Sequence, residues 1–301
     1  MPQTPQFDAA AAREDFPIFS RPLETGRHRK GKPPAFLDSA ASSQKPHCVI
    51  DRERQVQETF YANAYRGVYE FGAQIDEELE SVRRRVATFI GAESKEDIVF
   101  TSGTTMSLNL VASAWGRRFL NPGDTVLITQ MEHHANIVPW QRICDERQAT
   151  LGWLTLTGDR RLDMDRLEEL LTPRTRMVSV TAMSNVLGTV NPIDDIARRA
   201  HDVGALVCVD AAQSVPHMKT DVSGTDSHGE PVDFLAFSGH KLYGPTGVGV
   251  LYGRQELLQA MEPFLGGGHM VSQVFQSHST WADPPARFEA GTLPIVQAIA
   301  L

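Results

Sequence analysis

Cysteine is scarce in this sequence. Cys48, Cys144 and Cys208 are scattered along 301 residues with no C-x-x-C spacing. An odd, unspaced set excludes a disulfide framework and predicts a reducing compartment. Excess basic charge is missing too: 29 Lys and Arg stand against 37 Asp and Glu, a formal charge of -8. That balance argues against a general nucleic-acid binder, which must neutralise phosphates. The one basic cluster, Arg27-His28-Arg29-Lys30-Gly31-Lys32, reads as a solvated loop. Gly26 to Lys32 matches the start of a nucleotide-binding P-loop, but Pro33 occupies the required Ser/Thr position and no strand precedes it, which excludes that reading. No apolar run is long enough to span a bilayer, and Met1 to Ser20 lacks a secretory apolar core. These absences predict a cytoplasmic protein with neither a membrane nor a nucleic acid as partner.

A hydrophobic content of 41% is enough to bury one large domain, alone or with a small one. Residues 1–34 are polar and rich in proline, an arm with room for one short helix. Ala35-Phe36-Leu37 reads as a short strand entering the small-residue turn Asp38 to Ser42. Between Ile75 and Ile90 the residues Ile75, Leu79, Val82, Val86, Phe89 and Ile90 recur at helical spacing, with Arg83, Arg84 and Arg85 mostly outside the stripe. Strand and helix patterns then alternate. Strands are predicted at 98–101, 125–129, 150–156, 177–182, 206–209, 234–237 and 247–252, and helices near 104–118, 136–148, 163–171, 193–203 and 255–262. This alternation predicts an α/β fold with a mainly parallel, seven-stranded sheet sandwiched by helices. Lys219 to Asp233 is polar and reads as a surface loop, while Leu293 to Leu301 begins an apolar helix.

Five polar clusters follow separate predicted strands. Ser102-Gly103-Thr104-Thr105 opens a helix and offers backbone N–H groups and hydroxyls to a phosphate, although an ordinary helix cap explains it as well. Glu132-His133-His134 makes a weak metal case, because adjacent histidines point apart; an imidazole lying over a planar ring is the sharper possibility. Ser184-Asn185 offers an amide to a cofactor or a carboxylate, although a simple turn explains it as well. Asp210 ends an apolar strand, where it caps a helix or holds a pyridine nitrogen protonated, with Gln213 three residues on. Ser238-Gly239-His240-Lys241 sets an amine beside two phosphate donors at a strand end, as a Schiff-base lysine requires, although a Gly-rich turn with a solvated lysine explains it as well. Phosphate donors, ring stacker, pyridinium partner and reactive amine together form the parts list for pyridoxal 5'-phosphate.

The residues LDSAAS (37–42), SGTT (102–105), QMEHHANIVPWQ (130–141), SNVLGT (184–189), VDAAQ (209–213), FSGHKLYGPTGVG (237–249) and RFEAGT (287–292) carry a family likeness. The sequence resembles the class V aminotransferases of the fold-type I pyridoxal-phosphate enzymes, and within them the Suf-type cysteine desulfurases with their selenocysteine lyase relatives. The resemblance implies an N-terminal arm at 1–34, a cofactor-binding large domain at 35–292 and the start of a small domain at 293–301. It implies Lys241 as the amine that carries the cofactor and moves protons at the substrate Cα, with His133 stacked on the ring and assisting acid–base steps. Asp210 would pair the pyridine nitrogen, Gln213 and Asn185 the ring oxygen or substrate, and Thr104, Thr105, Ser238 and His240 the phosphate. Thr292 would reach a phosphate across the interface of a homodimer. The implied activity converts L-cysteine, or L-selenocysteine, to alanine, passing sulfur as an enzyme persulfide to an acceptor protein of the Suf pathway for iron–sulfur cluster assembly. In the family the attacking cysteine and the arginine that grips the substrate carboxylate lie downstream of RFEAGT. The sequence holds neither before Leu301, which points to an incomplete chain. The competing expectations are a catalytically incomplete cofactor- or partner-binding protein, and a related lyase or aminotransferase that needs no cysteine. Tyr65-Arg66-Gly67-Val68-Tyr69 also departs from the family, which carries histidines around this Arg-Gly.

Overall fold

The structure is a computed structural model that describes residues 7–24, 31–65, 67–224 and 229–301. Most of the basic cluster at 27–32, the start of the P-loop-like stretch, Arg66 and residues 225–228 of the expected surface loop lie outside the described residues. In chain order, α1 spans Ala9–Glu14, α2 His47–Thr59, α3 Glu70–Ile90 and β1 Ile98–Thr101. Next come α4 (Thr104–Leu110), a π-helical turn (Val111–Trp115) and α5 (Gly116–Phe119), followed by β2 (Thr125–Thr129), α6 (Val138–Arg147) and β3 (Thr150–Leu154). They continue as α7 (Met164–Leu170), β4 (Thr175–Thr181), α8 (Ile193–Asp202), β5 (Leu206–Asp210), β6 (Phe234–Ser238) and β7 (Gly249–Gly253). The described chain closes with α9 (Gln255–Ala260), β8 (Val271–Val274), β9 (Ser279–Trp281) and α10 (Ile295–Ala300).

A seven-stranded sheet in the order β1-β7-β6-β5-β4-β2-β3 organises the molecule. β7 runs antiparallel to both neighbours, while β2 to β6 pair in parallel. Helices cover both faces, so β1, β5 and β6 read as nearly unbroken apolar runs. One face packs Val180, Val207, Val209 and Leu235 against α3 and α8; the other packs Val126, Ile128, Cys208 and Ala236 against α4 and α6. The parallel strands end on one edge, so the loops that follow β1, β2, β4, β5 and β6 converge there.

The expected strands and helices are found with small shifts at their ends, and four local expectations are corrected. Residues 35–37 pair with no strand; the loop they begin is bonded by Ser42 and Ser43 to the His240 carbonyl instead. Arg83 is buried, because Glu289 neutralises it with bonds of 2.7 and 3.0 Å and the Ile98 carbonyl accepts a third. Phe89, placed in the apolar stripe, is instead half exposed. The expected surface loop dips into the core at Val222 and Val232, which bond to each other, and Val222 N–H also reaches the Ile90 carbonyl.

Candidate functional site

A cavity of about 380 Å³ lies where the strand ends converge. Thr104, Thr105, His133, Asn185, Asp210, Gln213, Ser238, His240 and Lys241 all line it. Thr292 does not; it is exposed beside a smaller cavity of about 170 Å³ with Tyr65 and His269. Two larger clefts, of about 590 and 620 Å³, occur elsewhere, and neither brings an amine, an imidazole and a buried carboxylate together. Among the described residues no group of three or more His, Cys, Asp and Glu side chains is arranged to hold a metal ion.

Each wall has a local cause. Gly103 turns with φ of 144°, and a Cβ added at Gly249 would meet the Gly103 Cα at 2.4 Å, so only glycines allow β7 this close to the start of α4. The contact sets Thr104 against Ser238: the Thr104 N–H donates to Ser238 Oγ at 2.8 Å, and the two hydroxyls lie 2.8 Å apart. Two hydroxyls and the exposed Thr105 thus share one corner of the cavity.

Asp210, at the end of β5, is buried, and the Ala212 N–H donates to its Oδ1 at 3.0 Å. Burial raises its pKa, against the pull of that N–H and of the Lys241 and His133 charges. Lys241 lies in a one-turn helix after β6, and burial lowers its pKa while Asp210 raises it. The amine and the carboxylate therefore sense each other across one cavity. His133 Nδ1 accepts the Ala135 N–H at 3.1 Å, which leaves the ring proton of the neutral imidazole on Nε2.

The third wall is the loop after residue 37. Ala40 and Ala41 line the cavity, and Gln213 Nε2 donates to the Ala40 carbonyl at 2.7 Å. The Gln213 amide expected at the ring oxygen thus also pins this loop. Four donors converge on the His240 carbonyl: Ser43 N at 2.9 Å, Ser43 Oγ at 3.0 Å, Lys45 Nζ at 3.1 Å and Ser42 Oγ at 3.2 Å. His240 Nδ1 meets Ser42 Oγ at 3.1 Å.

The family model for class-V aminotransferases matches residues 35–301. This chain belongs to the class-V aminotransferase family. A cysteine desulfurase of Dickeya dadantii is 52% identical over 290 residues, covering 96% of this chain and 68% of that protein. The crystal structure of the cysteine desulfurase CsdA from Escherichia coli matches with a TM-score of 0.86 at 39% identity, over 98% of this chain and 70% of the other. The apo cysteine desulfurase of Thermococcus onnurineus NA1 matches with a TM-score of 0.87 at 35% identity, over 98% and 69%.

Two residues beside the cavity are not marked as such by the sequence. Lys45 was passed over, since nothing local marks a lysine that bonds 195 residues away. Glu132 was weighed only as a metal ligand, yet it is buried and takes bonds from Thr129, Asn136 and Thr181. A carboxylate directly before His133, flanked by Thr129 and Asn136, is the signal that was available.

Proposed function

We infer that this class-V chain is a pyridoxal-phosphate-dependent cysteine desulfurase acting on L-cysteine. The observation that carries the reading is the shared cavity: the amine of Lys241, the buried carboxylate of Asp210, the His133 imidazole and the Thr104–Ser238 hydroxyl pair face one space. That donor set fits the cofactor, since a partly desolvated amine suits an aldehyde, hydroxyls suit a phosphate and a buried carboxylate suits a pyridine nitrogen. When bound, pyridoxal phosphate would supply an electron sink for the charge left at the substrate Cα.

The chain's own groups divide the remaining work. Burial favours the neutral form of Lys241, so Nζ can take a proton from the substrate Cα and return it. Asp210 would hold a proton on the ring nitrogen, and His133 would cover the ring face. Thr104, Thr105, Ser238 and His240 would hold the phosphate, and Asn185 and Gln213 the ring oxygen or the substrate. We assign 35–292 to the cofactor-binding domain, with 1–34 as an arm and 293–301 opening a further one.

The sulfur acceptor within the chain is a separate matter. No cysteine lines the cavity. Cys144 and Cys208 are buried, and burial pushes their thiols up to about 11 and about 12. Cys48 is exposed and opens onto a different cleft. These placements favour Cα activation by this chain without persulfide formation on its own thiols.

The Suf-type assignment, selenocysteine as a second substrate, an acceptor protein in iron–sulfur cluster assembly and a cytoplasmic setting belong to the same reading, supported by the joint motif set and the free thiols. Among the described residues no helix is long and apolar enough to cross a membrane. A homodimer is supported by Thr292, exposed away from the cavity, and by Val274, Phe275 and Trp281, exposed on and beside the β8–β9 hairpin. The decisive experiment follows the Cα proton of L-cysteine by NMR in D₂O with cofactor-loaded protein. Exchange is expected, and its absence with cofactor bound would refute the reading.

A further inference from the structure

Glu132 is buried beside the cavity, and the proposed reaction leaves it without a task. Its Oε1 accepts from Thr129 Oγ1 at 2.6 Å and from the Thr181 N–H at 2.9 Å, and its Oε2 accepts from Asn136 Nδ2 at 2.7 Å. The donors come from the end of β2, the end of β4 and the turn that precedes α6. Asn136, itself fully buried, spends its Oδ1 on Trp140 Nε1 at 3.0 Å and Ser179 Oγ at 2.6 Å. Its amide therefore has one orientation, with the N–H side turned to Glu132.

His133 sits inside the turn that this pair closes. The Asn136 N–H donates to the His133 carbonyl at 2.8 Å, and the Ala135 N–H donates to His133 Nδ1. The imidazole is thus held within a five-residue loop whose ends are joined by Glu132 and Asn136. The same carboxylate ties that loop to Thr181, which lines the cavity and precedes Ala182, whose N–H bonds the Asp210 carbonyl. The charged and titratable groups that face it are Asp210, whose charge repels it, and the Cys208 thiol. Burial pushes Glu132 up to about 7, and the three donors pull the other way.

We propose that Glu132 is a positioning residue: by joining β2, β4 and the 132–136 turn, it fixes where the His133 imidazole stands in the cavity. The proposal rests on the cofactor reading only for one of its two readouts. In Glu132→Gln, the new amide N–H faces the Asn136 N–H or the Thr181 N–H, donor against donor. An unsatisfied buried donor weakens a site about tenfold or more. The double variant Glu132→Gln/Asn136→Asp restores a donor–acceptor pair, because the new carboxylate accepts from the amide, from Trp140 and from Ser179.

The first readout is the pH titration of the His133 imidazole nitrogens by ¹⁵N NMR in cofactor-free protein; the second is the dissociation constant for pyridoxal phosphate by fluorescence. Glu132→Gln is expected to shift the His133 titration and tautomer balance and to weaken cofactor binding about tenfold, and the double variant to restore both. Unchanged His133 titration in Glu132→Gln overturns the proposal. So does a defect that the double variant leaves unrepaired, since lost pairing between 132 and 136 then does not explain it. Should Glu132→Gln fail to fold, Thr129→Val removes a single donor: a smaller shift in the same direction supports the proposal, and no shift overturns it. Failure of the wild-type protein to bind pyridoxal phosphate would refute the cofactor reading and leave the cofactor-free measurement to decide the role of Glu132.

Discussion

Lys241 is a balance between two neighbours, the apolar wall that lowers its pKa and the Asp210 carboxylate that raises it. Removing the carboxylate charge leaves the wall alone. In Asp210→Asn the Lys241 pKa is expected to fall further, and the pH profile of its reductive methylation to move to lower pH; an upward move would contradict the coupling. Among the described residues the same lysine is the only amine that lines the cavity. Lys241→Ala should slow Cα-proton exchange of L-cysteine by about 10²- to 10⁴-fold, the usual worth of a positioned acid–base group. The exchange assay suits this chain because it needs no thiol. Residue types alone pointed to Lys241, Asp210 and His133, since few other tasks want an amine, a carboxylate and an imidazole after separate strands of one sheet. The companion Lys45 was illegible, because it acts by bonding a backbone carbonyl 195 residues away, and Glu132 was marked only by its place directly before His133.

At the level of elements, α3 shows where periodicity succeeds and fails. Ile75, Leu79, Val82, Val86 and Ile90 face the core as their spacing demands, and the helix stops at Gly91, which adopts φ of 71°. Arg83 breaks the pattern because its partner lies 206 residues away, a distance no local window can see. Burial opposes its charge, and Glu289 more than compensates. Glu289→Ala would leave that buried charge only the longer ion pair with Glu80, at 3.4 Å, beside the Phe100 ring, and the chemical denaturation midpoint should report a loss of about 3 kcal/mol. At the start of β6, Asp233 is wholly buried; it accepts from Val207 N at 2.7 Å, meets His201 Nε2 at 3.0 Å and takes Arg254 at 3.1 Å, joining α8 to β5, β6 and the start of α9. The Asp233 bond raises the His201 pKa above its unfolded value, so its stabilisation is full below about 6.5 and fades as pH rises through the folded value. Denaturation of His201→Ala should show a deficit on the order of 1 kcal/mol at pH 6 that shrinks by pH 9; a deficit that grows with pH would exclude this account.

For the whole molecule, the alternation of strands and helices announced the parallel sheet and the edge on which its loops converge, because burial on both faces writes itself as apolar runs. The small residues after position 37 fit a close approach to a bound group or a simple tight turn, and the sequence could not choose between them, because the loop's partners at His240 and Gln213 lie 198 and 173 residues away. The thiols make a prediction at this scale. Loaded with pyridoxal phosphate, the chain should exchange the Cα proton of L-cysteine yet release little sulfide or alanine, and Cys48→Ala should leave exchange unchanged; robust sulfide release would show that one of its own thiols reaches the substrate. The four donors on the His240 carbonyl carry a last consequence. With the carbonyl ahead of Lys241 held by four donors, the freedom left to the amine lies chiefly in rotation about its own methylenes. On the proposed reading, chemistry at that nitrogen would then proceed as a swinging tether on a fixed post.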